Sequence, residues 1–504
     1  MIFTSPLYAC FLSGSLLLFV LLYVFSRFIG IKRIINKQIN IAIRAYILLI
    51  FSLLFYAAWD PKYLLLMVWV AAFDFCISHG MARAEGVSNR RKLLLALSLS
   101  NSLGVLATFK YLGFFQESLL SLICLLGMEA HISILRLVLP VGISFYIFQS
   151  ISYIVDVYRG ILPPERNFFY YLFFLSFFPQ LVAGPIVQAK VFLPQIRRMK
   201  PVSPINLKIA LFLILLGAFK KSVLADHLAI TADFSFSHIL EVDRKFLWWG
   251  LLSYSGQIYC DFSGYTDIAL GSALMFGFRL PENFRMPYLA RGFSEFWRRW
   301  HISLSSWLKT YLYIPLGGNR KGGLHTYKNL MIVMLLGGLW HGANWNFIAW
   351  GLGHGFLLSL EKLAKDIIQL STDGKEFFRG RLSRTLITFG SWFFTFLSVS
   401  FLWIFFRSSK FSDSLCYLQG LFIKKGGISI SYTQEMVTIW CLLAIVIGHI
   451  FGDRFLIRFS KIDRENLRSQ TPVRYMLFGA LFSLGFIAVV LMSGNSLPFV
   501  YFVF

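Results

Sequence analysis

Four histidines, His301, His325, His341 and His354, fall within one largely apolar stretch of the chain. Imidazole is the side chain whose charge changes near neutral pH, and the usual general base toward a weakly acidic hydroxyl. His341 stands in "GGLWHGANW" (337–345), directly after the apolar run "MIVMLL" (331–336). Gly337, Gly338 and Gly342 allow close backbone approach or an unwound helix. A broken helix at membrane depth is tolerated where it lines a water-reaching cavity. Trp340 and Asn344 add an indole and an amide, both hydrogen-bond donors. These residues alone leave two readings open: His341 as a catalytic base, or as a histidine satisfied within a packed core. His301 lies 40 residues earlier, in "FWRRWHISLSSWL". There Phe296, Trp300 and Trp307 fit one apolar helical face while Arg298 and Arg299 point elsewhere. No metal site is expected, because the histidine spacings are long, no Cys or carboxylate joins them in ligand register, and HExxH is absent. A serine nucleophile lacks its GxSxG elbow.

The surrounding segment from Tyr254 to Gly323 is dense in Asp, Glu, Arg, Asn, Gly and Pro. Asp261 and Asp267 interrupt a run that otherwise reads as transmembrane. An ionisable group at that depth costs about 2.5–3.5 kcal/mol on insertion scales, so it faces a cavity or a partner. Arg279 and Arg285 are the expected partners on a structural reading; a substrate or proton path is the functional one. "PENF" (281–284) and "MPY" (286–288) break any helix. "LGGNRKGG" (316–323) lacks the spacing and terminal Lys-Ser/Thr of a phosphate loop. It reads as a basic cytoplasmic turn, with Arg320 or Lys321 greeting an anionic donor as the alternative.

The elements that must carry these residues are membrane helices. The chain of 504 residues is 57% hydrophobic and 14% charged, against roughly 25% charged in soluble domains. Apolar runs able to cross hydrocarbon occupy 7–27, 45–58 continuing to 63–79, 93–109, 132–155, 168–188, 207–224, 246–276, 329–360, 386–406, 436–452 and 475–503. Backbone polar groups must be paired internally in lipid, so helices are expected, not open sheet. The fold class is therefore an all-α polytopic membrane protein of about eleven spans plus re-entrant or half helices. "SLLSLICLLGM" (118–128) is too short to span alone. One membrane domain covers 1–504, divided into N-terminal helices (1–130), a core holding the chemistry (131–360) and C-terminal helices (361–504). Its longest polar interval, Glu361–Arg384, contains the amphipathic "LAKDIIQL".

Net charge is +24. The basic residues cluster in short links: Lys32, Arg33, Lys37 and Arg44; Arg83, Arg90, Arg91 and Lys92; Arg197, Arg198 and Lys200; Arg379, Arg381 and Arg384; Arg454, Arg458, Lys461 and Arg464. That is the pattern of cytoplasmic loops facing anionic lipid headgroups, not of a nucleic-acid surface. "WDPK" (59–62) then faces outward, and the first span starts outside. The first apolar run lacks a basic n-region and a small-residue cleavage site, so it reads as a span and not as a signal peptide. Six cysteines are scattered without a CxxC pair, so neither disulfides nor zinc are indicated.

Five segments resemble the membrane-bound O-acyltransferase family, in its bacterial branch of alginate O-acetyltransferase membrane subunits. They are "FYAAWDPKYLLL" (55–66), "LPVGISFYIFQSISYIVDVYRG" (139–160), "FFPQLVAGPI" (177–186), the run 261–322 from "DFSGYTDIAL" to "LGGNRKG", and "LLGGLWHGANWNFIAWGLGHG" (335–355). "FWRRWHISLS" is also similar to the D-alanyl transferase of teichoic acid synthesis. The resemblance implies a ring of membrane helices around a thinned, funnel-like centre, with His341 as the family's catalytic histidine and His301 as the branch's second one. It implies acyl transfer from a cytoplasmic thioester donor, acetyl-CoA or similar, toward hydroxyls of an exported or envelope polysaccharide, with no bound cofactor. A periplasmic acetyltransferase or acyl-carrier partner is part of the same expectation, as is a bacterial inner-membrane location. Trp340, Asn344, Arg298 and Asp261 are the further candidates for substrate binding or oxyanion stabilisation. The less distinctive regions 110–135 and 361–440 are where acceptor choice is expected. Two rival readings stand beside this one: a transporter of lipid-linked glycan that uses Asp261 and Asp267, and a non-catalytic membrane scaffold for a periplasmic transferase.

Overall fold

The computed structural model describes residues 6–28, 37–84, 86–128, 134–135, 137–181, 184–199, 202–370, 381–465 and 472–493. Among these, regular structure is helical throughout, with one isolated parallel bridge between Val242 and Ile428. Lys32, Arg33, Lys200 and Arg379 of the basic links lie outside the described residues. Among the described residues, five helices are long and apolar enough to cross a membrane: Ile39–Ala57, Lys62–Arg83, Ser88–Leu125, Thr385–Arg407 and Tyr432–Gly452.

Several apolar runs that read as single spans are not single helices. Among the described residues of the run 132–155, the helix begins at Ile143, where Gly142 adopts φ +76°. A Cβ at that glycine would lie 2.5 Å from the Leu181 carbonyl oxygen, so the site requires glycine sterically as well as conformationally. The run 168–188 divides into Phe168–Ser176 and Phe178–Leu181. Asn167 caps the first piece, its side-chain oxygen accepting from the peptide N–H groups of Phe169 and Tyr170 at 2.9 and 3.3 Å. The opposite correction applies to 118–128. It is not a separate short piece but the end of a 38-residue helical run, Ser88–Leu125, joined through a π-helical turn at Ala107–Tyr111.

The chain forms two compact units, 1–214 with 266–281, and 215–265 with 282–504. The first is centred on rings, with Phe173, Phe177, Phe192 and Phe278 in mutual contact at 5.0–5.7 Å between centroids. Buried Asp74 accepts hydrogen bonds there from Ser98 and Ser150, and Ser150 also bonds the Tyr171 hydroxyl at 2.7 Å. The second unit holds the four histidines, Asp261, Arg298, Trp340 and Asn344, whereas Asp267 belongs to the first. Its core packs Trp300, Trp350, Trp403, Phe406, Tyr254 and Tyr417 among aliphatic side chains. The large ring areas supply the burial that anchors its short helices.

Candidate active site

The run 329–360 is a helical hairpin: Gly323–His341, a reversal at Gly342–Asn344, then Trp345–Leu370. Glycines bring its two helices together. A Cβ at Gly338 would fall 2.2 Å from the Phe347 carbonyl oxygen, and one at Gly351 would fall 2.4 Å from that of Met334. Gly342 is extended, and a Cβ there would strike the Phe347 ring at 2.1 Å. His341 is thus the last residue of its helix, held where the chain must turn. It is buried, 6% exposed, and its ring meets Trp340, Trp350 and Phe406 edge to face at 5.0, 5.0 and 5.1 Å between centroids.

His301 approaches from a different part of the chain. Helix Phe293–Arg299 ends at Trp300, and a second short helix begins at Ile302. The residue between them, His301, takes φ +42° and ψ +55°. A left-handed conformation in a non-glycine residue costs on the order of 1–3 kcal/mol and persists only where its surroundings hold it. Met286 shows the same strain at φ +46°, in the segment running beside it. That segment binds the strained turn through Arg285 N–H to Arg299 O and Ile302 N–H to Asn283 O, both 2.9 Å. The His301 ring is fully buried, 4.8 Å from Phe262 and 5.8 Å from Trp340, edge to face against each. Trp340 therefore touches both histidines, and the two sequence-distant candidates share one indole.

The other candidates are placed differently. Asn344 caps helix Trp345–Leu370, accepting from the Asn346 N–H at 2.9 Å and donating to the Ser409 carbonyl at 3.1 Å, so its amide is engaged in the fold. Arg298 is exposed on the outer side of its short helix, whereas Arg299 pairs with Glu295 at 2.7 Å. Asp261 is buried away from solvent, and its cation is Lys221 at 2.9 Å, which also binds Asp226 at 2.8 Å. Arg285 instead lies 3.6 Å from Glu282. Periodicity around Asp261 carries no sign of Lys221, because that lysine sits 40 residues earlier in a π-helical turn, Phe219–Ala225. Inserted π-turns rotate side chains out of the register that helical periodicity assumes.

Two further buried side chains lie beside the histidines: Asn283, which the sequence shows only as a helix-breaking neighbour of proline, and His354, one of the four histidines of the apolar stretch. Asn283, read only as part of a helix-breaking "PENF", has its amide against His301. His354, one helical turn after Trp350, packs its ring 4.7 Å from Trp350 and 5.0 Å from Trp297. Among the described residues no group of three or more His, Cys, Asp or Glu side chains is placed to hold a metal ion.

An apolar, helical chain with long membrane-crossing segments and buried histidines around one indole defines a membrane protein with an internal histidine site. Residues 162–404 match the model of the membrane-bound O-acyltransferase family. The chain is 41% identical over 368 residues to a probable alginate O-acetylase of Pseudomonas putida, covering 73% of this chain and 72% of that one. It is 37% identical over 414 residues to the peptidoglycan O-acetyltransferase of Helicobacter pylori, covering 77% and 75%. A more distant likeness, 29% over 233 residues, joins it to the teichoic acid D-alanyltransferase of Bacillus subtilis, over 43% of this chain and 58% of that one. The protein belongs to the membrane-bound O-acyltransferase family and is an O-acyltransferase of the membrane.

Proposed function

We propose that this acyltransferase moves an acetyl group from a cytoplasmic thioester, acetyl-CoA or an equivalent, toward hydroxyls of an exported or cell-envelope polysaccharide, with His341 as general base. The observation that carries the reading is the position of His341, buried at a helix end and sharing the Trp340 indole with His301. Two relatives covering about three quarters of the chain are named for O-acetyl transfer to alginate and to peptidoglycan, which supports acetyl as the acyl group and a glycan as its destination.

An imidazole nitrogen of His341 takes the proton of the attacking hydroxyl as the new C–O bond forms, a role worth about 10²–10⁴-fold. The carbonyl oxygen of the thioester becomes an oxyanion, and preorganised donors stabilise it. The Trp340 N–H and peptide N–H groups at the hairpin reversal suit this task better than Asn344, whose amide is occupied by its cap. Collapse of the intermediate breaks the C–S bond, and the imidazolium returns its proton to the leaving thiolate. Arg298, exposed three residues before His301, suits the anionic part of a donor. Where acetylation occurs beyond the membrane, a periplasmic acetyltransferase or carrier takes the group onward, and this chain performs the first transfer of a relay.

His341→Ala is expected to accumulate in membranes normally while ester-linked acetate on the envelope and exported glycans, released by mild base and quantified by mass spectrometry, disappears. Undiminished acetate in that variant would overturn the reading in favour of a non-catalytic scaffold.

A further inference from the structure

Asn283 lies fully buried beside His301 and accepts more hydrogen bonds than a loop residue needs. Its backbone oxygen takes the Ile302 N–H at 2.9 Å. Its side-chain oxygen faces three groups: the Ser303 N–H at 3.3 Å, the Ser303 hydroxyl at 2.9 Å and His301 Nδ1 at 3.0 Å. The peptide N–H can only donate, so the amide must turn its oxygen this way. An amide oxygen can only accept, so His301 Nδ1 must carry the hydrogen. In the neutral ring the lone pair then belongs to Nε2, on the opposite edge. That Nε2 is buried with no hydrogen-bond partner among the described residues. Phe262, Phe284 and Trp340 surround the ring, and none of them is charged; the titratable group sharing Trp340 is His341.

We propose that Asn283 is a positioning residue, setting His301 in the Nδ1–H tautomer so that Nε2 serves as hydrogen-bond acceptor for a substrate group. The inference rests on the acetyl-transfer reading and gives His301 a defined part in it. A buried acceptor that lacks a partner costs free energy comparable to a lost hydrogen bond. The left-handed backbone of His301 adds strain. Both are retained beside the histidine of the proposed reaction. A capping role alone accounts for the bonds to Ile302 and Ser303, but not for the bond to the imidazole.

Three variants separate positioning from capping, assayed in permeabilised cells given acetyl-CoA, with ester-linked acetate on the endogenous glycan read across pH. Asn283→Asp retains an acceptor for all three donors, yet sets a carboxylate against Nδ1–H and favours the imidazolium. Nε2 is then protonated up to a higher pH, so the acid limb of the activity profile moves upward by about one unit. Ser303→Ala removes a cap donor and retains the His301 bond, so its limb stays where the wild type's is. Asn283→Ala loses at least tenfold in acetate. A wild-type acid limb in Asn283→Asp, or wild-type activity in Asn283→Ala, overturns the proposal. If Asn283→Ala fails to accumulate, the Asp variant decides, because the limb is read on the folded protein present. Failure confined to these variants leaves acetyl transfer standing, whereas intact acetylation in His341→Ala removes it.

Discussion

At the scale of single residues, burial separates roles that residue type alone leaves merged. Asp261 looked like a group that needs either an arginine or a substrate, and its observed cation is Lys221, shared with Asp226. All three side chains are at most 3% exposed. Removing one partner from a buried ion cluster costs about 3–5 kcal/mol when a charge is left uncompensated. Lys221→Met takes the ammonium away from two carboxylates, while Asp261→Asn leaves a one-to-one pair. The lysine variant is therefore expected to lose most of its folded protein, and the asparagine variant much less. Size-exclusion profiles of detergent-solubilised protein after a heat step measure the difference. Loss of polymer export itself in Asp261→Asn, rather than of acetylation, would argue for a transport path through this cluster.

At the scale of elements, the hairpin that carries His341 depends on two helices touching without side chains between them. Gly338→Ala places a methyl against the Phe347 carbonyl, and backbone cannot yield as a flexible side chain does. Loss of folded protein or of acetylation, at least tenfold, is the expected outcome, measured by membrane abundance and glycan acetate together. The short helix leading to His301 is anchored by the far end of the same hairpin. Glu361 accepts the Ser294 N–H at 2.8 Å, satisfying an orphan donor near the start of Phe293–Arg299. Burial works to raise the Glu361 carboxyl, but hydrogen bonds from Lys365 and the Ser294 N–H outweigh it and hold the group below its ordinary range. A lowered folded value stabilises the protein above the ordinary carboxylate pKa, and that stabilisation is lost as pH falls through the lowered one. Glu361→Ala is expected to cost about 1 kcal/mol at neutral pH, as for a lost cap. Its thermal stability should converge on the wild type's as the buffer is acidified. A pH-independent gap between the two melting temperatures would contradict this account.

At the scale of the whole molecule, charge in the connecting links is expected to set the orientation in the membrane. "WDPK" separates the helices Ile39–Ala57 and Lys62–Arg83, and the short link after Arg83 leads into Arg90, Arg91 and Lys92 at the start of helix Ser88–Leu125. The positive-inside rule directs the second link to the cytoplasm and the first outward. In a background without the six native cysteines, Asp60→Cys should react with a membrane-impermeant maleimide in intact cells. Arg90→Cys should react only after permeabilisation, and the reverse pattern would invert the topology.

Composition, apolar runs and motifs such as "RRWHISLS" and "GGLWHGANW" were sufficient for the all-helical membrane class and the family. Those properties depend on local chemistry, which a linear string displays directly: hydrophobic length, charge in links, glycine beside imidazole. Tertiary structure decided where helices break and which side chains meet. Left-handed Gly142 begins a helix inside an apolar run, and a π-turn joins 93–109 to 118–128. Lys221 reaches Asp261, Asn344 caps the helix that follows it, and Asn283 comes to hydrogen-bond His301. Each of these depends on contacts between residues far apart in the chain, or on a single residue's backbone conformation. Neither leaves a periodic trace in the sequence, because hydrophobic patterning records which face is buried and not what it is buried against.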